Sequence, residues 1–351
     1  MEQLSAGQKL DQAFDKLGKE KTISFELDLD TDARSLKALD ALSDPEPGEE
    51  LTDELAGLLS GAKITVTAQS RKPIEESGEK DFVGMAMKVR TDGGDLVEYR
   101  VIGDHLYLRV DAEVVGKAMG APVPSARDLP PEAGGLKKVL EGAWVKLDTA
   151  EMEKAAAETE AELGVPPEPE PSLDARTQKQ LLEALRRTVA REVDFKTEDG
   201  EDGAEHVTAT APLRTLVGEL FDEIRPLVKK LPAGIEPPTD KDLKEVPDVE
   251  VTADFALKNG ELSEVYVDLA ALAETAEVKK LGLVVRMSEG RPPTAPAGVT
   301  ELDMGELMGG FGAAMMSDEA FGDEVFGEEV LGGEGLAEGG LPEEDFPADA
   351  A

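Results

Sequence analysis

Strict alternation of apolar and polar residues, renewed after each of two tight turns, constrains this chain more than any other feature. From 82 to 110 the apolar positions Val83, Met85, Met87, Val89, then Val97, Tyr99, Val101, then Leu106, Leu108, Val110 recur with a period of two. Asp92-Gly93-Gly94-Asp95 and Gly103-Asp104 interrupt them. Alternation of this kind marks strands with one buried and one wet face, and Gly/Asp pairs between them mark hairpins. Three consecutive strands joined by tight turns form a meander, hence an antiparallel sheet.

The same signal returns elsewhere. Ile23, Phe25, Leu27 and Leu29 alternate with Ser24, Glu26, Asp28 and Asp30. Residues 63–69 and 143–147 read as strands, and 193–197 with 206–211 as a hairpin. Val249 to Leu257 and Ser263 to Leu269 flank Asn259-Gly260, and 281–287 is a last strand. Asn259 is the only asparagine in the chain, placed where a type I′ turn needs positive φ. Between the strands lie helix-period segments at 4–17, 33–42, 51–59, 114–119, 136–140, 149–163, 173–191 and 213–230. Ser5 is placed to cap the first of them. Strands joined by hairpins, with helices inserted in blocks, define an α+β chain rather than a doubly wound one.

Charge restricts the partners. There are 76 Asp and Glu against 37 Lys and Arg, a formal charge of −39. The surface as a whole repels nucleic acid and anionic lipid headgroups, and suits cations or a basic protein partner. No stretch of about 18 apolar residues exists to span a bilayer. Cysteine is absent, which removes disulfides, thiolate metal sites and cysteine nucleophiles. The two histidines, His105 and His206, have no metal-ligand spacing. Asp28-Leu29-Asp30-Thr31-Asp32 opens like a calcium loop but has Ala33 at the glycine position and Leu39 at the terminal glutamate position. No phosphate-binding loop and no nucleophile elbow occur, so no catalytic residues, metal site or cofactor are expected. Trp144, the single tryptophan, reads as a core residue at a strand start.

What remains is apolar supply on the strands. By strand phase the expected lining of a hydrophobic pocket is Phe25, Leu27, Val66, Met85, Met87, Tyr99, Phe195 and Phe255. Paired methionines on one face adapt to flexible chains. From the residues alone, ordinary core is the first reading of the same side chains.

Several stretches resemble actinobacterial envelope lipoproteins of the LppX/LprG lipid-carrier family, whose fold type is shared with the periplasmic carrier LolA. They are Ser5-Ala6-Gly7-Gln8-Lys9-Leu10 with Ala13-Phe14, Thr22-Ile23-Ser24-Phe25-Glu26-Leu27-Asp28, residues 98–109, Gly142-Ala143-Trp144-Val145-Lys146-Leu147-Asp148, the hairpin around Asn259-Gly260, and Pro296-Ala297-Gly298-Val299. The resemblance covers about residues 5–302. It implies a large curved antiparallel sheet, a half-barrel covered on one side by helices. It also implies a non-catalytic protein outside the cytoplasm, tethered to the membrane by an N-terminal anchor, that binds or transfers a lipid or other hydrophobic ligand. The family's leader and lipidated cysteine are not in this sequence, so a processed chain is one expectation. A cytoplasmic protein is the other, if Met1 is the native start. The domain expected is 1–302, with an internal proline-rich loop at 164–172. Residues 303–351 form an acidic glycine-rich tail with 14 acids and no Lys or Arg, expected to be mostly disordered. Within the tail Met304, Leu307, Met308, Phe311 and Met315 keep a helical spacing. That stripe suggests an alternative reading, a protein-interaction or sensor module using the acidic surface and tail.

Overall fold

The structure is a computed structural model. It describes residues 5–302 apart from 44, 46–49, 119–122, 124–125, 128, 130–133, 163–174, 201–202, 231–238, 274 and 276, together with residue 305. The expectations for the tail 303–351, Gly305 aside, and for the proline-rich loop 164–172 fall outside the described residues.

Helix α1 (Ala6–Lys19) leads into β1 (Thr22–Thr31), followed by α2 (Ala33–Asp40) and α3 (Asp53–Ser60). The meander is β2 (Lys63–Ser70), β3 (Phe82–Thr91), β4 (Gly94–Ile102) and β5 (His105–Val110). Then come α4 (Ala112–Ala118), α5 (Gly134–Leu140), β6 (Val145–Asp148), α6 (Thr149–Glu162) and α7 (Ala175–Glu192). The second half holds β7 (Asp194–Asp199), β8 (Glu205–Pro212), α8 (Leu213–Ile224), α9 (Asp240–Glu245), β9 (Glu250–Lys258), β10 (Glu261–Asp268), β11 (Leu281–Ser288) and β12 (Thr300–Glu301).

The twelve strands among the described residues join one sheet in the order β12-β6-β5-β4-β3-β2-β1-β11-β10-β9-β8-β7. It does not close into a barrel, and β12 and β7 are its edges. The fold is therefore α+β, as the hairpins required. One pair departs from the antiparallel expectation: β12 runs parallel to β6. Two residues carry no periodicity, so this strand could not be read from the sequence.

Local chemistry explains the boundaries. The Ser5 side chain accepts from the Gln8 N–H, and the Gln8 side chain accepts from the Ser5 N–H, a capping box. Asn259 and Gly260 both have positive φ, 55° and 69°, as the type I′ turn demands. Helix α9, hidden within a proline-rich stretch, is opened by the Thr239–Asp242 capping box.

Register sorts the side chains onto two faces, because neighbours along a strand point to opposite sides. Phe25 pairs with Val66, Val66 with Met87, Met87 with Tyr99, and Tyr99 with Leu108. On its other side Phe25 pairs with Met287. This face is apolar. The opposite face carries Glu26, Asp28, Lys88, Glu98, Arg109, Glu264 and Arg286. Arg286 reaches Asp28 at 3.0 Å and Glu264 at 2.9 Å, and Arg90 reaches Glu26 at 2.8 Å. Such cross-strand pairs each stabilise little, but together they keep that face wet.

Helices pack into the apolar clusters at the two ends of the face, while α3 and α4 contact the central strands β1 and β4. Under α1, Leu10 and Ala13 pack with Val207, Leu257 and Leu262, joined by Phe195, Phe255, Val265 and Met287. At the far end Val145, Leu147 and Leu302 pack with Leu106, Leu108, Val139 of α5 and Met152 of α6. Helix α7 packs on α8, which reaches β8.

Between β11 and β12 the chain crosses seven strand spacings, about 34 Å measured along the sheet. The segment 289–299 can span at most ~40 Å, so it runs almost extended. It crosses on the charged face. Pro293 lies over Gly84, where an added Cβ would be 3.5 Å from the proline ring. Arg100 Nη1 donates to the Thr294 carbonyl at 2.6 Å, and the Thr300 N–H donates to the Trp144 carbonyl at 2.9 Å. The apolar face is thereby left to the helices. Gly290 starts this crossing against β1. A Cβ there would sit 2.8 Å from the Thr22 carbonyl carbon and closer still to its oxygen. Backbone cannot swing aside as a side chain can, so Gly290→Ala is expected to cost about 1–3 kcal/mol. A lowered urea midpoint at unchanged slope would register it; an unchanged midpoint would mean the crossing is loosely held.

Candidate ligand-binding face

All eight residues expected to line a pocket lie on the apolar face. Six of them gather on four adjacent strands. Phe25, Val66, Met87 and Tyr99 form one continuous row from β1 to β4. Leu27 follows Phe25 on β1, and Met85 precedes Met87 on β3, between Ala68 and Val101. The other two are set apart. Phe255 joins the Leu27 row only through Val285 and Val265, and Phe195 lies beyond it through Ala209 and Ala253. Both pack into the cluster under α1.

None of the central six is sealed, whereas the clusters at the two ends include sealed side chains. Phe25, Leu27, Val66, Met87 and Tyr99 are only half-buried, and Met85 is 38% exposed. By contrast Val207 under α1 is 0% exposed and Val145 at the far end 1%. At the border, Phe14 of α1 stands edge-on to Phe255 with centroids 6.2 Å apart, and it too is exposed.

A cleft of about 850 Å³ continues this face beside α1. Its apolar wall comes from Ala13 and Leu17 of α1, Ile23 of β1, Leu262 of β10 and Met287 of β11. Its polar rim carries Lys16, Lys19, Lys21 and Lys258, with Glu20, Glu261 and Glu289. Met287 is the cross-strand neighbour of Phe25, so cleft and row share one floor. Strand phase had placed Ile23 beside Phe25, and Met287 sat in a recognised strand. Their role was invisible until α1 was positioned, since nothing in the sequence says which strands a helix will cover.

The charged face holds the remaining chemistry-bearing groups. Trp144 is not core: it lies half-exposed beneath Arg100 and Arg109, whose guanidinium carbons are 5.0 and 5.3 Å from the ring centre. The alternation that sends Val145 and Leu147 to the apolar side puts Trp144 with Lys146 on the other. Glu98, buried, accepts from Arg100 Nε at 3.0 Å and from Arg109 Nη2 at 3.3 Å. At β12 the Lys146 ammonium, bonded to Glu301, holds that carboxyl below its usual range. His206 Nδ1 meets Asp254 at 2.6 Å, and Thr208 donates to the same carboxylate at 3.3 Å, leaving this trio as a cross-strand brace. The acids that opened like a calcium loop are used separately. Asp28 pairs with Lys63 and Arg286, Asp30 with Lys280, and Asp32 caps α2. Among the described residues no group of three or more His, Asp or Glu side chains is arranged to hold a metal. None of the described helices is long and apolar enough to cross a membrane.

No protein-family model matches the chain, and no curated protein does. Two crystal structures resemble it in outline. One is the Mycobacterium tuberculosis lipoprotein LppX, 10% identical, covering 83% of this chain and 97% of that chain with a TM-score of 0.31. The other is LprF from Mycobacterium bovis, 10% identical, covering 83% and 95% with a TM-score of 0.33. At those values neither bears on what this chain binds.

Proposed function

We propose that this protein is a non-catalytic carrier that binds a lipid or other hydrophobic ligand on the apolar face of its sheet. The observation that supports it is the half-covered row Phe25–Val66–Met87–Tyr99, with Met85 exposed beside it, running into the cleft beside α1. At both ends of the same face the clusters include fully sealed side chains, Val207 and Val145, whereas none of the central six is sealed. Hydrocarbon laid on this row gains about 0.8 kcal/mol per buried CH₂. The methionines let the floor adapt to chains of differing shape.

The expected setting is the outer side of the cell membrane, with the protein tethered by an N-terminal lipid anchor. The formal charge of −39 favours a second reading, a module that meets a basic protein through its acidic surface. Titration with a fluorescent polyene fatty acid separates the two. The carrier reading expects saturable binding at one site, displaced by unlabelled amphiphile. Non-saturating emission, together with salt-sensitive capture of a basic protein, would favour the second.

A further inference from the structure

The cleft beside α1 breaks the charge rule of the chain. With acids outnumbering bases 76 to 37 overall, its described lining holds four lysines against three glutamates. Lys16 and Lys19 belong to the last turn of α1, where cations also complement the helix dipole. That account does not extend to Lys21, in the connection to β1, or to Lys258, at the end of β9. Two segments distant in sequence, 16–21 and Lys258, thus bring ammonium groups to one mouth, above a wall of Leu17, Ile23 and Met287. From Met287 on β11 the apolar row continues through Phe25, Val66, Met87 and Tyr99 to Leu108 on β5, five strand spacings or about 24 Å.

We propose that the lysine mouth takes the anionic headgroup of an amphiphile, a carboxylate or phosphate, whose hydrocarbon chain lies along this row. The inference rests on the carrier reading and adds the polarity and direction of the ligand. The strongly acidic surface as a whole repels such a headgroup, and among the described clefts this mouth is where lysines outnumber acids and can hold it. The order of groups also sets the pose, with the head beside α1 and the tail toward β5.

The test uses the full chain and four probes: palmitate, hexadecanol with the same chain and no charge, and acetate and inorganic phosphate with no chain. Binding is measured by calorimetry below the concentrations at which the amphiphiles self-associate. Palmitate is expected to bind at least about tenfold more tightly than hexadecanol, and acetate and phosphate not measurably at millimolar concentration. In Lys19→Glu/Lys21→Glu, at two exposed positions, palmitate should fall to the level of hexadecanol while hexadecanol binding stays unchanged. Lys258→Glu, from a different segment, should show the same loss of preference and serves if the double variant does not fold. Equal binding of palmitate and hexadecanol by the natural chain, or a preference kept in the folded variants, overturns the headgroup site while leaving the carrier reading standing. Binding of neither amphiphile overturns the carrier reading itself. Phosphate bound as tightly as palmitate makes this a free-anion site and overturns the proposed path of the chain.

Discussion

Met85→Asp is expected to weaken binding of an acyl ligand by about a hundredfold or more while the protein stays folded. Met85 sits on β3 between Ala68 and Val101, at the centre of the apolar face, and is already 38% exposed. A carboxylate there stays hydrated in the empty protein, so folding loses only about 1 kcal/mol of strand preference. A bound hydrocarbon chain would strip that hydration without offering a partner, and an unpaired charge cannot be desolvated cheaply. A hundredfold change corresponds to about 2.8 kcal/mol, well within such a penalty. Aspartate is the informative choice because lysine could snorkel past the ligand on its long stem. Met85→Leu keeps shape and polarity and should bind nearly as the natural chain does. A folded Met85→Asp protein with full affinity would show that this part of the face does not meet the ligand.

The opposite dissociation is expected at Leu257. This side chain is 2% exposed in the cluster that joins Leu10 and Ala13 of α1 to Val207 and Leu262 of the sheet. Truncation to alanine leaves a cavity that a helix clamped on a strand face closes poorly. Leu257→Ala should therefore cost about 3 kcal/mol, within the ~2–5 typical of sealed core leucines. Chemical denaturation would read this as a lower midpoint at constant slope. Affinity for the ligand should change far less than at Met85. A loss below about 1 kcal/mol would mean that α1 is not packed as described.

Much of this architecture was written in the period of the sequence. The meander from β3 to β5 followed from alternation and two Gly/Asp turns, and the β9–β10 hairpin from the one asparagine of the chain. The apolar face was legible for the same reason: strand phase alone placed Phe25, Val66, Met87 and Tyr99 on one side, and register put them in one row. What the sequence did not reveal were facts of long range. Strand β1 is flanked on one side by β11, so Leu27 meets Val285, more than 250 residues away. No local signal carries such a pairing. Trp144 failed for a different reason, since a large aromatic was given to the core by type although its phase assigned it to the charged side. The cleft needed both kinds of information. Its wall joins α1, β1, β10 and β11, and only the folded chain brings the lysines of α1 and of the β9–β10 hairpin to one mouth.

The central claim is that the apolar face carries a hydrophobic ligand, and native mass spectrometry of the chain purified from envelopes of its own kind of organism tests it most directly. A discrete added mass that is lost on extraction with organic solvent, and regained on adding the extract back, is the result the carrier reading predicts. A bare protein mass before extraction, unchanged by added lipid, would contradict it.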